Sequence, residues 1–292
     1  MAIRTRLWYP FMSPLIFSAV LLAALLHAVW NALIKVSGDR LVIMAVTTGS
    51  TSLLVIPLLF IMPLPAPESW PYLALSAAVH SVYMLVLIRA YGFGDFAQVY
   101  PLSRGSAPLL TAILGFLLLG ETMDAGEIAG MLLIVLGIFA LALERSAGIL
   151  QLSRPALFYS LLTGLCITTY SLIDGTGVRL SGNSLSFILW MFFLDGILVP
   201  IVAYTKRPTS VLVATIKVVW KPGLMVSILS TIAYALIVWA FNQERIAPVA
   251  VLRETSVLFA VLISMVFIKE SLSPLRILIV ALILAGIVLL GL

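Results

Sequence analysis

Two stretches of the chain follow one pattern: RGSAPLLTAILGFLLLGET at residues 104–122 and RETSVLFAVLISMVFIKES at residues 253–271. An arginine, a glutamate and a later glycine are separated by 17 and then 16 positions in both copies, namely Arg104, Glu121 and Gly137, and Arg253, Glu270 and Gly286. The offset between the copies is 149 residues. Self-similarity at a fixed offset indicates an internal duplication.

The composition around these stretches is that of a membrane protein. The chain has 292 residues, of which 62% are hydrophobic and 10% are charged, whereas soluble domains contain about 25% charged residues. A spanning helix needs about 20 apolar residues. Ten apolar runs meet that requirement, at roughly 14–34, 41–62, 70–91, 97–119, 127–143, 156–178, 184–204, 221–241, 247–268 and 274–291.

The duplication and the spans together predict the fold. Each copy contains five spans, with a first repeat at 13–143 and a second at 154–291. Because five is an odd number, the second copy must lie upside down in the membrane relative to the first. We therefore predict an all-α polytopic membrane protein with ten transmembrane helices in two inverted five-helix repeats. A weaker match of Trp30-Asn31 to Tyr170-Ser171 supports the pairing of spans one and six.

Basic residues are biased to one side of the predicted topology. Eleven lie on that side: Lys35, Arg40, Arg89, Arg145, Arg154, Lys206, Arg207, Lys217, Lys221, Lys269 and Arg276. Four lie on the other side: Arg4, Arg6, Arg179 and Arg245. Since cytoplasmic loops carry the excess of Lys and Arg, this bias predicts that both termini are outside.

Several classes of function are excluded or disfavoured by the sequence. The spans leave no room for a folded aqueous domain, and one cysteine, Cys166, cannot form a disulfide framework or a cysteine cluster. The two histidines, His27 and His80, do not have zinc-site spacing, so we expect neither metal nor cofactor. The net charge of +5 is explained by loop topology, and nucleic acid is not an expected partner.

Short motifs resemble a known family. Residues 119–122 (LGET) and 268–271 (IKES) each follow the fourth span of a repeat, and residues 26–35 (LHAVWNALIK) end the first span. With the duplication, these motifs resemble the EamA type of the drug/metabolite transporter superfamily over residues 13–291. The resemblance implies a carrier for small organic solutes, a class that includes bacterial amino-acid exporters, some of them for aromatic amino acids. The second copy departs from the first by having Gly175 in place of Lys35 and Lys269 in place of Gly120.

Ionisable residues inside the spans are candidate site residues, because each costs at least about 2.5 kcal/mol to insert. Arg104 and Arg253 lie at matching repeat positions and could bind a substrate carboxylate, with Glu254 as a partner for an amino group or for an arginine. Their alternative role is structural, with the long side chains reaching the lipid headgroups. Asp195, near the middle of span seven, is a candidate for proton coupling or for a static ion pair.

Aromatic and polar residues complete the predicted substrate site. His80 and Tyr83 share one helical face, as do Tyr100, Ser103 and Arg104. Similar groups on spans one, six and eight are Trp30, Asn31, Tyr170, Tyr234 and Trp239. Many tyrosines and tryptophans serve instead as anchors at the membrane interface or pack within the bundle. We expect the site to lie between spans 1, 3, 4, 6, 8 and 9.

Prolines in the fourth and ninth spans, and the glutamates that follow these spans, receive structural interpretations. Pro101, Pro108 and Pro248 are candidate hinges, although Pro248 could also be a first-turn residue without a kink. Glu121 and Glu270 are expected to stabilise the amino end of the helix that follows each of them.

The sequence therefore predicts a secondary transporter, and not an enzyme, in the inner membrane of a bacterium. Its expected partners are the lipid bilayer and a small-molecule substrate, with an aromatic or large apolar amino acid as the narrowest prediction. Alternative substrates are a sugar, a nucleoside or a cationic compound, and alternative classes are a membrane-embedded enzyme or a channel. Because one chain supplies both repeats, a monomer is expected.

Overall fold

The computed structural model describes residues 12–34, 39–94, 96–145, 153–268 and 273–291. Within these ranges the chain forms α-helices and one short 3-10 turn, Pro67–Ser69, without any strand. The helices are α1 (Pro14–Ile34), α2 (Arg40–Leu59), α3 (Trp70–Phe93), α4 (Phe96–Leu119), α5 (Ala125–Arg145), α6 (Arg154–Leu180), α7 (Ser184–Lys206), α8 (Thr209–Gln243), α9 (Ile246–Arg253), α10 (Ser256–Ile268) and α11 (Pro274–Gly291). Among the residues discussed above, Arg4, Arg6, Lys35, Lys269 and Glu270 lie outside the described part.

The helices make ten spans. Nine segments of the described chain are long and apolar enough to cross a membrane, and α5 contributes a shorter apolar segment, Ala125–Leu141. The helices α9 and α10 are two halves of one span. Large apolar side chains inside the apolar segments, such as Phe116, Leu117 and Leu136, are exposed on the outside of the bundle, as expected for helices that face lipid rather than water. The predicted all-helical, multi-pass fold is confirmed.

Packing relates the two repeats by an approximate two-fold axis. Helix α3 packs against α6, and their repeat counterparts α8 and α1 pack against each other in the same way. The counterpart pairs α2 with α7 and α5 with α11 pack directly across the axis. Since each repeat has an odd number of spans, this axis lies in the membrane plane and the repeats are inverted. We call the side where α1 begins and α11 ends the terminal face, and the opposite side the mouth face.

The eighth span is longer than predicted. Helix α8 begins at Thr209, twelve residues before the predicted start at residue 221. No helix breaker lies between Pro208, which precedes the first turn, and Pro222. At 1.5 Å per residue its 35 residues extend roughly 50 Å, beyond the roughly 30 Å hydrocarbon core of a bilayer.

The ninth span is broken where the sequence predicted a continuous helix. The amides of Glu254 and Thr255 donate to the carbonyls of Val251 and Leu252, three residues back, over 3.0 and 3.2 Å. The Thr255 hydroxyl also donates to the Leu252 carbonyl over 2.7 Å, so a side chain competes for an acceptor that would otherwise serve the helix. Arg253 and Glu254 therefore lie at a helix break in the middle of the bundle.

Glu121 stabilises a different helix from the one predicted. The amino end of α5 is capped by Asp124 and Glu127, whose side chains each accept from the other's backbone amide over 2.9 Å. Gly120 adopts a φ of 67°, a conformation that suits glycine at the end of a helix. Beyond it, the Glu121 carboxylate accepts from the Ile246 amide of α9, in the other repeat, over 2.8 Å. Tertiary packing, and not proximity along the chain, decides which amide is reached.

Candidate functional site

A cavity of about 520 Å³ lies between the two repeats. It is lined by α1, α3, α4, α6, α8 and α9, as expected, and also by α2 and α7. Towards the mouth face the lining reaches Asn31, Met44 and Tyr91, close to the ends of their helices. Towards the terminal face it stops at Ala23 and Ile237, which are six or more residues from the helix ends. The cavity therefore opens towards the mouth face.

Most of the predicted site residues line this cavity: Trp30, Asn31, His80, Tyr83, Tyr100, Ser103, Arg104, Tyr170, Asp195, Tyr234 and Arg253. Glu254 lies behind the wall, where it contacts both arginines. Trp239 lies outside the lining and packs with the apolar core. It follows Tyr234 by five residues, which at about 100° per residue places the two side chains about 140° apart around α8.

The arginines of the two repeats share one carboxylate. A terminal nitrogen of Arg104 lies 3.1 and 3.3 Å from the two carboxylate oxygens of Glu254. Arg253 donates its Nε to the same carboxylate over 3.1 Å. All three side chains are nearly inaccessible, with exposures of 6%, 4% and 0% for Arg104, Arg253 and Glu254. Two cations against one anion leave this end of the cavity with an excess positive charge.

Arg253 has hydrogen-bonding capacity to spare at this end. Among the described residues, its two terminal guanidinium nitrogens have no hydrogen-bond partner, while the side chain lines the cavity. A guanidinium with two free donors matches the geometry of a carboxylate. The arrangement is suited to binding the anionic group of a small molecule.

His27 belongs to the same group, although the sequence interpretation considered it only as a metal ligand. Arg104 donates to the Nε2 atom of His27, so that nitrogen accepts and the imidazole proton lies on Nδ1. The His27 ring packs edge-on against Trp30, with centroids 4.7 Å apart. Its spacing of three residues from Trp30 on α1 was a helical signal that could have identified it.

Aromatic rings form the walls, with Tyr170 at their centre. His80 stacks on the Tyr170 ring with centroids 4.2 Å apart and an interplanar angle of 21°. Tyr83 and Tyr234 contact the same ring edge-on at 5.5 and 5.8 Å. The Arg253 guanidinium carbon lies 6.0 Å from the centroid of that ring. An aromatic enclosure beside a cationic group can hold a molecule that has both an apolar part and an anionic part.

His80, Asp174 and Asp195 form a second group of ionisable side chains, next to Tyr170. The ring nitrogens of His80 lie 3.8 Å from the Asp174 carboxylate and 3.6 Å from the Asp195 carboxylate. Asp174 is fully buried and accepts from the Tyr234 hydroxyl over 2.5 Å. The sequence interpretation missed Asp174, although it is an intramembrane carboxylate four residues after Tyr170 on α6. Together these residues form a site that can hold protons or a cation.

The candidate hinge prolines have different positions. Pro101 and Pro108 lie inside α4. Pro248 is the third residue of α9, where a backbone amide has no partner within the helix, so this proline causes no kink there.

Comparisons with known proteins agree with the fold. A solved structure described only as the crystal structure of a protein superposes with a TM-score of 0.73, covering 94% of both chains at 16% sequence identity. A search of curated proteins gave no significant match. The sequence model of the EamA-like transporter family matches residues 14–143 and 154–292. Because these matches cover both halves of the chain, this multi-pass membrane protein belongs to the EamA-like transporter family.

Proposed function

We propose that the protein exports amino acids with aromatic or large apolar side chains from the bacterial cytoplasm, by alternating access of one central site in a monomer. The observation that carries this proposal is the guanidinium of Arg253, which faces an aromatic cavity with two donors free among the described residues. The substrate carboxylate would bind there, and its side chain would lie against Tyr170 and Tyr83.

The outward direction is supported by the charge distribution and the cavity. The cavity opens to the mouth face, which carries most of the basic loop residues. By the positive-inside rule this face is cytoplasmic, so the site loads from the cytoplasm.

Asp195 is the proposed site of proton coupling. It lines the cavity, has one carboxylate oxygen without a hydrogen-bond partner in the described chain, and lies 3.6 Å from His80. A proton could pass between Asp195 and His80 after a small rotation of either side chain. The same carboxylates also favour the alternative that the substrate is a cationic compound.

Counterflow in proteoliposomes tests the substrate class. Vesicles are loaded with one unlabelled amino acid, and uptake of labelled Phe, Tyr, Leu or Lys is followed. We expect saturable accumulation of the aromatic and large apolar amino acids, weakened at least tenfold by Arg253→Gln. Accumulation of Lys alone would identify the cationic alternative. Absence of counterflow with every amino acid, from folded protein, would reject the proposal in favour of sugars or nucleosides.

Asp195→Asn tests the coupling. If Asp195 carries the proton, this variant loses the response of net transport to a pH gradient, because the amide cannot exchange a proton. Exchange of labelled for unlabelled substrate continues, since it needs no net proton movement. A variant that keeps its response to pH would show that Asp195 does not couple.

A further inference from the structure

Charged side chains of the two repeats contact each other at the terminal face. Arg245, which precedes α9, donates hydrogen bonds from both of its terminal nitrogens to the Glu127 carboxylate, one of them over 2.9 Å. It also donates to the Thr122 carbonyl over 2.6 Å. The Arg245 and Glu127 side chains are only 14% and 8% exposed. This is a bidentate and largely buried ion pair that joins the second repeat to the first.

A second set of contacts lies beside this pair. One Glu121 oxygen lies 2.8 Å from an Arg179 terminal nitrogen, and the other accepts from the Ile246 amide. Arg179 also donates to the carbonyls of Phe241 and Glu244 over 2.9 and 2.7 Å. Arg179 and Arg245 are thus both occupied in contacts with carboxylates of the first repeat. We refer to Glu121, Glu127, Arg179 and Arg245 as the terminal cluster.

The terminal cluster lies beyond the closed end of the cavity. On α8 the cavity lining ends at Ile237, and the helix ends at Gln243. Six residues at 1.5 Å per residue place the cluster roughly 9 Å beyond the lining. The terminal face can open only if the repeats separate at this level, and that separation must break the ion pairs.

The Arg245–Glu127 pair has no counterpart in the duplicated sequence. At the offset of 149, Glu127 corresponds to Arg276 and Arg245 corresponds to Phe96. The offset holds here because α5 begins at Ala125 and α11 begins at Pro274. An arginine and an apolar residue cannot form this ion pair, so the mouth face cannot be closed in the same way.

We infer that the terminal cluster is a one-sided gate, which holds the terminal face closed and makes the mouth-open state the resting state of the carrier. Inverted repeats with identical contacts at both ends would populate the two states equally, because the two states would then be symmetry copies. At the mouth face a more exposed pair, Asp39 with Arg207, also joins the repeats, but it is formed while that face is open. The buried Arg245–Glu127 pair therefore favours closure of the terminal face without an equivalent that closes the mouth face, and this difference shifts the equilibrium. Arg245 and Glu127 are positioning residues for transport, since they set which state is populated without touching the substrate.

Cysteine accessibility tests the gate without any knowledge of the substrate. Cys166 is the single cysteine of the chain, so Cys166→Ser provides a cysteine-free background. Ile237→Cys reports on the closed end of the cavity and Ile88→Cys on its mouth. Each reporter is made in four forms: without a further change, with Arg245→Glu, with Glu127→Arg, and with both changes together. Each form is placed in vesicles of both orientations and labelled with a membrane-impermeant maleimide.

We expect each single charge reversal to raise labelling of Ile237→Cys from the terminal face at least tenfold. The double reversal restores the pair with opposite polarity and returns labelling towards that of the background. Labelling of Ile88→Cys from the mouth face should fall in the same single variants, because one end of the cavity opens as the other closes, whereas an unfolded variant would be labelled strongly at both reporters. Should a reversal prevent folding, Arg245→Gln and Glu127→Gln replace it. Unchanged terminal-face labelling in folded single variants, or no recovery in the double variant, would overturn the inference.

Discussion

Arg104 of the first repeat and Glu254 of the second repeat form an ion pair, with nitrogen to oxygen distances of 3.1 and 3.3 Å. At the repeat offset, Glu254 corresponds to Gly105, so the first repeat has no equivalent carboxylate. The duplication therefore supplies two arginines but one acid. This imbalance creates the positive end of the cavity and allows two symmetry-related side chains to have different roles, because Arg104 is occupied and Arg253 has free donors.

Removal of that acid is expected to destabilise the protein. Glu254→Gln leaves two buried guanidinium groups without a counter-charge, and loss of one partner of a buried ion pair costs about 3–5 kcal/mol. Thermal unfolding in detergent measures the change. The exposed Glu68 provides a matched control, and Glu68→Gln is expected to remain within about 0.5 kcal/mol of the wild type. Equal melting of the two variants would contradict the shared role of Glu254.

The aromatic walls are expected to determine the affinity for substrate. Tyr83→Ala and Tyr100→Ala each remove one wall of the cavity and should raise KM about tenfold, equivalent to about 1.4 kcal/mol, without preventing membrane insertion. Trp239→Phe is the control, because this side chain lies outside the lining. Concentration dependence of counterflow gives KM for all three. If neither tyrosine variant changes KM, these residues do not form the substrate site.

Two glycines are expected to set the distance between α5 and α11. A Cβ atom at Gly130 would lie 2.7 Å from the Gly286 carbonyl oxygen, and a Cβ atom at Gly286 would lie 2.7 Å from that of Gly130. Alanine at either position must push the helices apart, with an expected cost of about 1–3 kcal/mol. At Gly92 an added Cβ meets no atom within 4 Å, so Gly92→Ala should be neutral or slightly stabilising. Thermal unfolding of the three variants, measured in parallel, tests this prediction. Equal stability of the three variants would contradict a role for the close approach of α5 and α11.

A pH dependence is expected at the mouth face, where Asp39 precedes α2. Arg207 of the other repeat donates to the Asp39 carboxylate over 2.7 Å and holds the pKa of that carboxyl below its usual value. Because the pKa is lower in the folded protein, the contribution to stability is complete above the unfolded pKa of about 3.9 and is lost as pH falls below it.

Asp39→Asn and Asp39→Ala separate this charge from the helix cap. Asparagine still caps α2 but cannot be ionised. The part of the fall in stability from pH 6 to pH 3 that comes from the Asp39–Arg207 pair should therefore be absent in Asp39→Asn. Asp39→Ala should cost about 1 kcal/mol more, because the amides of Leu41 and Val42 lose their acceptor. Melting temperatures at the two pH values measure both effects. A wild-type pH response in Asp39→Asn would assign that response to other groups.

Much of the fold follows from local features of the sequence. Hydropathy located every span, because burial in lipid requires about 20 apolar residues wherever they occur. The errors arose where a local signal was weak. Thr255 broke a uniformly apolar span through its own hydroxyl, and the stretch before Lys221 continued α8 because no residue in it ends a helix.

Part of the cavity lining was also predictable from local features of the sequence. Helical spacing placed Tyr83 on the face of His80, and the cost of intramembrane charge identified Arg104, Arg253 and Asp195. The same rule applies to Asp174, which could have been found. The position of Trp239 outside the cavity could also have been found, since Ser227, Ser230, Thr231 and Tyr234 recur at helical spacing on another face of α8, and that face lines the cavity.

Composition and repeat spacing, which are properties of the chain alone, specify the membrane environment, the number of spans and the inverted duplication. The partners of the buried charges depend instead on how the helices pack. Glu254 contacts two arginines, Glu121 caps α9 rather than α5, and Arg245 pairs with Glu127. Apart from Arg253 and Glu254, which are neighbours in the chain, these partners are more than 100 residues apart. They meet because two inverted bundles pack along their apolar faces, and that packing brings each buried charge to the nearest group able to neutralise it.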